Sequence, residues 1–365
     1  MFVIFPNLAG MTHDPTSHRG ALANPCGRFE PHQREAFDDG WWREDDLPPL
    51  ATTLEQDQAR RIISTNDSPD IPFEQSINPY RGCEHGCVYC YARPSHAYLG
   101  LSPGLDFETR LFAKPNAAAL LEAELRHKGY RCRTIAIGTN TDPYQPVERR
   151  QRIMRSILEI LRDFRHPVTI TTKSALVVRD IDILAAMAAD GLASVALSVT
   201  TLDRDLARLL EPRAAMPTRR LAAIRALANA GIPTAVSVAP VIPGLTDHEL
   251  ERLLEAAAAH GAKSASWTLL RLPHETRELF NLWLEKHRPE RRIHVLNLLR
   301  QYRQGRLNDA TFGRRFTGEG TLSTLLEKRF QMAMRRYGLI GGQARLTRTD
   351  LFAPPPRPGD QMTLF

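Results

Sequence analysis

The sequence predicts an α/β protein: a partial barrel of six βα units, with an extended N-terminal arm and a helical C-terminal extension. From about residue 76 to 272, short β-rich runs alternate with stretches whose apolar residues recur every three or four positions. This alternation is typical of parallel strands joined by crossover helices. Because only six strands of this kind are found, the barrel is expected to be incomplete.

The elements of the barrel follow from this pattern in chain order. The six predicted strands are SINPY, RTIAIGTNTD, VTITTK, ASVALSV, TAVSVAPVI and SASWTLLRL. The predicted crossover helices are RRQRIMRSILEILRDF, DIDILAAMAAD, TRRLAAIRALANAG and DHELERLLEAAAAHG. Two of these helices end at Gly231 and Gly261, and glycine is common at helix C-termini.

The segments on either side of the barrel have different compositions. Residues 1–75 are rich in Pro, Asp and His and lack sustained periodicity, so we expect an extended arm that Trp41 and Trp42 pin to the barrel domain. Residues 273–351 are expected to form a basic helical extension. The Pro-rich stretch 352–365 is expected to be a linker-like tail.

The composition points to a globular protein and away from several other classes. The chain has 365 residues, of which 42% are hydrophobic and 24% are charged. We find no apolar run near the length of about 18 residues that a membrane helix needs, and no signal peptide, so we expect a cytoplasmic protein without a membrane partner. Three of the five cysteines fall within eight residues, which favours metal or redox chemistry over a disulfide framework. Cys26 and Cys132 are expected to be ordinary thiols.

The three grouped cysteines are the principal chemical signal. Cys83, Cys87 and Cys90 form a C-x3-C-x2-C loop directly after the first predicted strand. Thiolates suit iron–sulfur clusters, and three ligands leave one iron of a four-iron cubane open for a substrate or cofactor. The alternative is a zinc site in which His85 or His96 supplies the fourth ligand.

Polar residues are expected at the carboxyl ends of the strands, where barrel enzymes place their chemistry. They are Thr139, Asn140, Thr141 and Asp142 on the second strand, Lys173 on the third, Ser198 on the fourth and Arg271 on the sixth. Lys173 is well placed to neutralise a carboxylate, and hydroxyls at Thr141 and Ser198 would complete that contact. The alternative is that these residues only cap a solvent-facing rim.

The cysteine loop resembles the cluster motif of the radical S-adenosylmethionine (SAM) superfamily, including the aromatic residue, Tyr89, before the last cysteine. The resemblance covers about residues 76–270. It implies a partial barrel of the radical SAM type with a [4Fe-4S] cluster on Cys83, Cys87 and Cys90, whose open iron is chelated by SAM. It further implies that one electron, from a donor such as flavodoxin or ferredoxin, cleaves SAM and releases a 5′-deoxyadenosyl radical.

The strand ends resemble those of spore photoproduct lyase and its relatives, which act on ultraviolet-damaged DNA. In that branch a second-strand hydroxyl, a third-strand lysine and a fourth-strand serine hold the methionyl carboxylate. The run VIPGLT, which begins Val241-Ile242, also resembles the adenine-binding turn of the superfamily. The resemblance therefore implies SAM contacts from Tyr89, Thr141, Asp142, Lys173, Ser198 and Ile242.

One departure from this branch affects the predicted substrate. The lyase carries a second-strand cysteine that returns a hydrogen to the product radical, and this chain has Thr139 there. Cys132 lies seven residues earlier, roughly 23 Å away along a strand. Either Tyr89, Tyr91 or Tyr144 quenches the radical, or the reaction is not photoproduct reversal. The expected activity is repair or modification of a nucleic-acid base.

The C-terminal region carries a strong positive charge. Residues 286–348 contain fifteen Lys or Arg against four Asp or Glu, in a chain whose net charge is +7. The interleaved aromatic residues are Tyr302, Phe312, Phe316, Phe330 and Tyr337. Such a surface can follow phosphates and stack on bases, so we expect a DNA or RNA partner; the alternative is a solvated helical face.

The last residues suggest a second partner. Gln361, Leu364 and Phe365 resemble the peptide by which bacterial repair and replication proteins dock on the sliding clamp. Two other functions stay open: a radical enzyme for a peptide or small molecule, and a non-catalytic, metal-bound nucleic-acid adaptor. Glu211 and Arg213 form either an internal ion pair or substrate contacts.

Overall fold

The structure is a computed structural model, and it describes residues 18–30, 50–341 and 348–356. The strands are β1 Thr53–Gln56, β2 Ile63–Thr65, β3 Gln75–Ile77, β4 Tyr80–Arg81, β5 Arg110–Ala113, β6 Ile135–Ile137, β7 Val168–Thr172, β8 Ala193–Ser198, β9 Thr234–Val241, β10 Ser264–Leu269 and β11 Ile340–Gly341. The α-helices are α1 Asp106–Thr109, α2 Ala117–Leu125, α3 Glu148–Gln151, α4 Ile153–Asp163, α5 Ile181–Ala189, α6 Arg204–Leu210, α7 Pro217–Asn229, α8 Leu250–Ala259, α9 Thr276–His287, α10 Pro289–Tyr302 and α11 Gly320–Tyr337. In the described part of the chain, 3-10 helices cover Arg93–Leu99, Ala175–Asp180, Asp247–Glu249 and Thr349–Leu351.

The main sheet has eight strands in the order β11-β10-β9-β8-β7-β6-β3-β2. All neighbouring strands run parallel except β2 and β3, which are antiparallel. The six predicted strands are β3 and β6 to β10, and they lie side by side in the sheet in their order along the chain. The prediction of an α/β partial barrel is confirmed.

The parallel strands are buried because helices cover the outside of the sheet. All six residues of β8 are buried, as expected for a central parallel strand. Helix α4 turns Ile153, Ile157 and Leu161 inward, one apolar face at helical spacing. The predicted helix over 149–164 is interrupted at Arg152, whose φ of 54° separates α3 from α4.

The N-terminal arm contributes strands to two sheets. β1 pairs in parallel with β5, and β4 completes this second, three-stranded sheet. β2 joins the edge of the main sheet, where Ile62 and Ile63 are buried. Residues 18–30, called here the N-terminal strap, lie against the cysteine loop. Trp41 and Trp42 lie outside the described residues.

The C-terminal extension consists of α9, α10 and α11, after which β11 pairs with β10. The start of the tail packs on the barrel: the Phe352 ring contacts Tyr130, Phe164 and His166. Gln361, Leu364 and Phe365 lie outside the described residues. Among the helices that the structure describes, none combines the length and apolar character needed to cross a membrane.

Candidate active site

The cysteine loop follows β4 and is held by backbone hydrogen bonds to distant segments. Cys83 N donates to Phe107 O (2.9 Å) and Val88 N to Leu210 O (3.1 Å). Cys83 and Cys87 are each 7% exposed, and Cys90 is half-buried. None of the three forms a disulfide.

This donor set fits an iron–sulfur cluster. Burial raises the pKa of all three thiols above the ordinary value, so a buried thiolate here needs a cationic partner, and ligated iron provides one. Backbone N–H groups of Asp142 and Ala92 donate to the sulfurs of Cys83 and Cys90. Hydrogen bonds of this kind stabilise cluster thiolates.

The two histidines considered as zinc ligands have other partners. His85 Nδ1 lies 3.3 Å from Asp142 Oδ2, and His96 Nε2 lies 2.9 Å from Arg110 O, with its ring edge against Phe107. In the part of the chain that the structure describes, no three His, Cys, Asp or Glu side chains are grouped to hold one metal ion, the three cysteines included. His96 Nδ1 is buried and has no hydrogen-bond partner among these residues.

Two buried side chains that the sequence analysis did not identify hold the loop. Gln145 Oε1 accepts from Glu84 N (2.7 Å) and Gln145 Nε2 donates to Gly82 O (3.2 Å), so it clamps the loop on both sides of Cys83. Arg93 is fully buried and donates to Cys87 O (2.9 Å). It also forms an ion pair with Glu108, whose side chain is likewise fully buried.

The same carboxylate fixes the N-terminal strap. Glu108 accepts from Gly20 N (2.9 Å) and Ala21 N (2.8 Å). Gly20 approaches the cysteine loop so closely that a Cβ there would lie 1.7 Å from Gly86 O. Only glycine therefore permits the strap to close against the loop.

Lys173 lies where the ends of β7, β8 and β9 meet. Its Nζ donates to Ser198 Oγ (2.7 Å) and Ala239 O (3.0 Å), and it lies 3.3 Å from Glu211 Oε1. The lysine is also 5.7 Å from the ring centroid of Tyr89, the residue before Cys90. The predicted proximity of Lys173, Ser198 and the cysteine loop is therefore present in the structure.

Glu211 is an internal ion-pair residue. It forms an ion pair with Arg220, and each of the two side chains is only 1% exposed. Glu211 also accepts hydrogen bonds from Thr200 Oγ1 (2.7 Å) and from the Tyr89 hydroxyl. Burial raises the pKa of Glu211, but Arg220 and Lys173 outweigh it, so the pKa lies well below its ordinary value. Arg213 instead pairs with Glu84 at 2.6 Å, beside Cys83.

Asp142 links the end of β7 to the cysteine loop. It accepts from Lys173 N (2.7 Å) and Thr172 Oγ1 (2.6 Å), besides pairing with His85. Burial raises the pKa of Asp142, but His85 and these hydrogen bonds lower it by more. The pKa therefore lies below its ordinary value, and the carboxylate stays ionised. Asp142 thus positions the backbone of Lys173 at the end of β7.

Two other predicted SAM contacts are engaged elsewhere in this structure. Thr141 Oγ1 donates to Tyr80 O at 2.8 Å, so it does not reach Lys173. Ile242 N donates to Thr246 Oγ1 (2.9 Å), and Ile242 O accepts from Leu245 N and Thr246 N. The backbone of Ile242 is therefore satisfied inside the turn. Asn78, another residue that the sequence analysis missed, accepts from Asn140 N at 3.0 Å.

The three candidate tyrosines have different environments. Tyr144 is fully buried and donates to Asp180 Oδ2 at 3.2 Å, away from the cysteines. Tyr89 is buried, with its hydroxyl on Glu211. Tyr91 is 50% exposed, and its hydroxyl donates to the carbonyl of Thr139.

The comparisons with known proteins agree with this geometry. A family model described as the radical SAM superfamily matches residues 77–257. The chain is 43% identical over 222 residues to the uncharacterized protein Rv2578c of Mycobacterium tuberculosis, covering 60% of this chain and 65% of that protein. It is 30% identical over 192 residues to the uncharacterized protein MJ0683 of Methanocaldococcus jannaschii, covering 53% of this chain and 69% of that protein. The chain thus matches less than two thirds of the mycobacterial relative's length.

Solved structures show the same fold. Spore photoproduct lyase complexed with dinucleoside spore photoproduct aligns with a TM-score of 0.58 at 16% identity, over 79% of this chain and 80% of that chain. At this identity the likeness concerns the fold alone. With the family match and the buried three-cysteine loop, it leads to one conclusion. The chain belongs to the radical SAM superfamily, whose cofactors are a [4Fe-4S] cluster and SAM.

Proposed function

We propose that this chain is a radical SAM enzyme that acts on a nucleic-acid base, in repair or in modification. When bound, the cluster and SAM supply a 5′-deoxyadenosyl radical by one-electron reductive cleavage. Cys83, Cys87 and Cys90 would hold the cluster. Lys173 and Ser198 would bind the methionyl carboxylate, since both side chains lie beside the loop.

The observation that carries the proposed substrate class is the position of the basic extension. Arg303 Nη2, at the end of α10, donates to Leu270 O at 2.8 Å, one residue beyond β10. The Phe316 ring lies 5.2 Å from the guanidinium of Arg271 and 4.7 Å from that of Arg315. Positive and aromatic groups therefore border the end of the barrel where the radical would form, as a nucleic-acid site requires.

Fewer aromatic side chains of the basic region are exposed than the sequence suggested. Tyr302 and Phe330 are 5% and 4% exposed and belong to the core, so the expectation that they stack on bases is wrong. Phe312 is 56% exposed and lies against Arg315. Base stacking, in this proposal, is limited to Phe312, Phe316 and the half-buried Tyr337, whose ring lies against Arg336.

Tyr91 is the proposed hydrogen donor to the product radical. Its hydroxyl reaches the carbonyl of Thr139, the position at which spore photoproduct lyase has its cysteine. Tyr144 is enclosed in the core, and the Tyr89 hydroxyl is held by Glu211. Tyr91→Phe should leave SAM cleavage intact and divert the product radical to side products.

The proposal is tested by anaerobic binding of single-stranded and duplex DNA and RNA at several salt concentrations, followed by mass spectrometry of ultraviolet-irradiated DNA after turnover. Steeply salt-dependent binding and an altered base are expected. SAM cleavage without nucleic-acid binding would instead indicate a peptide or small-molecule substrate. Binding without SAM cleavage would indicate the adaptor. Alanine at both Leu364 and Phe365 tests the sliding-clamp peptide separately.

A further inference from the structure

Three arginines meet beyond the end of β10, and their partners differ. Arg315 forms an ion pair with Asp70, in which each side chain is 14% exposed. Arg303 donates to the carbonyls of Leu270 (2.8 Å) and Arg315 (3.2 Å). Among the residues that the structure describes, none accepts a hydrogen bond from the buried Nε of Arg271, and no carboxylate forms an ion pair with its guanidinium.

A half-buried cation without a counter-ion is an unfavourable arrangement. Burial and the nearby charge of Arg315 lower the pKa of Arg271, and the opposing effects of Tyr91 and Asp70 are weaker. An anion bound to this guanidinium would offset the desolvation of the cation and satisfy its free donors. The site is therefore built for an anionic ligand.

Arg271 is placed to present such an anion to the radical site. It is the second residue after β10, at the carboxyl ends of the parallel strands. Five residues further along the chain, Thr276 Oγ1 donates to Cys90 O at 3.4 Å, so the segment that begins at Arg271 reaches the cysteine loop. The Phe316 ring supports the guanidinium from one side at 5.2 Å, which fixes its plane.

A basic cleft of about 520 Å³ lies between α9 and α10. His274, three residues after Arg271 in the chain, is one of its lining residues. Arg277, Arg292 and Arg300 line it, against a single acid, Glu278. Three arginines against one acid suit a chain of phosphates better than one isolated carboxylate.

We infer that Arg271 binds a backbone phosphate of the nucleic acid next to the reacting base, and that the α9–α10 cleft holds the following phosphates. This inference rests on the proposed function, and it assigns a substrate-anchoring role to a residue outside the basic region 286–348. A guanidinium pairs with phosphate in two parallel hydrogen bonds, which also fixes orientation.

The test uses a fluorescein-labelled dT12 oligonucleotide and the cluster-loaded protein under anaerobic conditions, with affinity measured across salt concentrations. Arg271→Gln should weaken binding about tenfold and reduce the slope of log K against log salt by about 0.7, the value for one phosphate on a single strand. Arg271→Lys should retain the slope but bind less tightly. Equal iron content verifies that each variant is folded.

The matched control is Arg162→Gln, which removes the same charge at the end of α4, just before the amino end of β7, where Arg162 contacts Asp163. It should bind like the wild type. If Arg271→Gln binds with unchanged affinity and unchanged slope, the inference is overturned. The proposed function stays intact in that case, because the wild type still binds the oligonucleotide. A matching loss of SAM affinity in Arg271→Gln would assign the residue to the cofactor and also overturn the inference. No binding by the wild type refutes both proposals.

Discussion

Lys173 Nζ lies 3.3 Å from Glu211 Oε1, and the carboxylate it faces also pairs with Arg220. Two cations thus share one buried anion at the ends of β7 and β8. Because removal of one partner leaves an uncompensated buried charge, this network couples the proposed SAM site to the stability of the barrel.

Glu211→Gln should destabilise the protein by about 3 kcal/mol, since Arg220 and Lys173 would both lose their counter-ion. Urea unfolding of the cluster-free protein measures this change. Glu251→Gln is the control, because its pair with Arg329 is 40% and 31% exposed and should contribute less than about 1 kcal/mol. Equal losses of unfolding free energy in the two variants would show that the buried network contributes no more to stability than the exposed pair.

Gln145→Ala should weaken retention of the cluster. The substitution leaves Glu84 N and Gly82 O, on either side of Cys83, without their hydrogen-bond partner. Buried groups left unsatisfied in this way cost about 2 kcal/mol of free energy. Iron per chain after reconstitution and dialysis is the measurement, and Gln331→Ala, which removes an exposed side chain paired with Glu327, is the control. Full iron retention in Gln145→Ala would rule out the proposed clamp.

Gly20→Ala should displace the N-terminal strap, because the new Cβ would overlap Gly86 O. In the wild type, Arg19 is only 9% exposed and donates to Glu108 O at 3.2 Å. The wild type should therefore resist trypsin at this position. Cleavage after Arg19 should accelerate about tenfold or more as the locally open population rises. Gly129→Ala, whose Cβ would have no neighbour nearer than 3.4 Å, should not change the rate. Equal protection of both variants would contradict the close contact.

His166 should make the protein less stable in mild acid. It is fully buried, and burial lowers its pKa from 6.5 to about 4. The unfolded chain therefore binds the proton first, so the contribution of neutral His166 is complete above pH 6.5 and falls between pH 6.5 and 4, by about 3 kcal/mol.

The measurement is urea unfolding of the cluster-free protein from pH 4 to 7. His166→Gln should flatten the decline in part, because His96 is also buried with its pKa lowered to about 4. His248→Gln, at an exposed position, should leave the profile unchanged. A pH profile of His166→Gln identical to that of the wild type would refute this account of acid sensitivity.

The sequence allowed the barrel and the cysteine loop to be predicted because both depend on local patterns. Alternating β-rich and amphipathic segments identify strands and helices, and parallel strand ends must meet, which brought Lys173 and Ser198 together. β1 escaped prediction because four mostly exposed residues, TLEQ, carry no apolar alternation. The interruption at Arg152 was missed because residues 148–152, ERRQR, are ordinary helix formers and contain no Gly or Pro that would mark a break.

The parts of the site that were missed depend on long-range contacts. Glu108 meets Gly20 across 88 positions, and Gln145 meets Glu84 across 61. No spacing rule links residues so far apart in the chain. Glu211 was noticed together with Arg213, but its partner, Arg220, depended on how the chain folds between α6 and α7. Likewise, Tyr302 and Phe330 looked like surface residues among arginines until their helices were seen to face the core.

The central claim is most directly tested by 5′-deoxyadenosine formation. The protein is purified anaerobically, reconstituted with iron and sulfide, reduced with dithionite and incubated with SAM, with nucleic acid both present and absent. We predict 5′-deoxyadenosine from the wild type and none from a variant with alanine at Cys83, Cys87 and Cys90. A wild-type preparation with a full cluster that forms no 5′-deoxyadenosine under either condition would contradict the proposal of radical SAM chemistry.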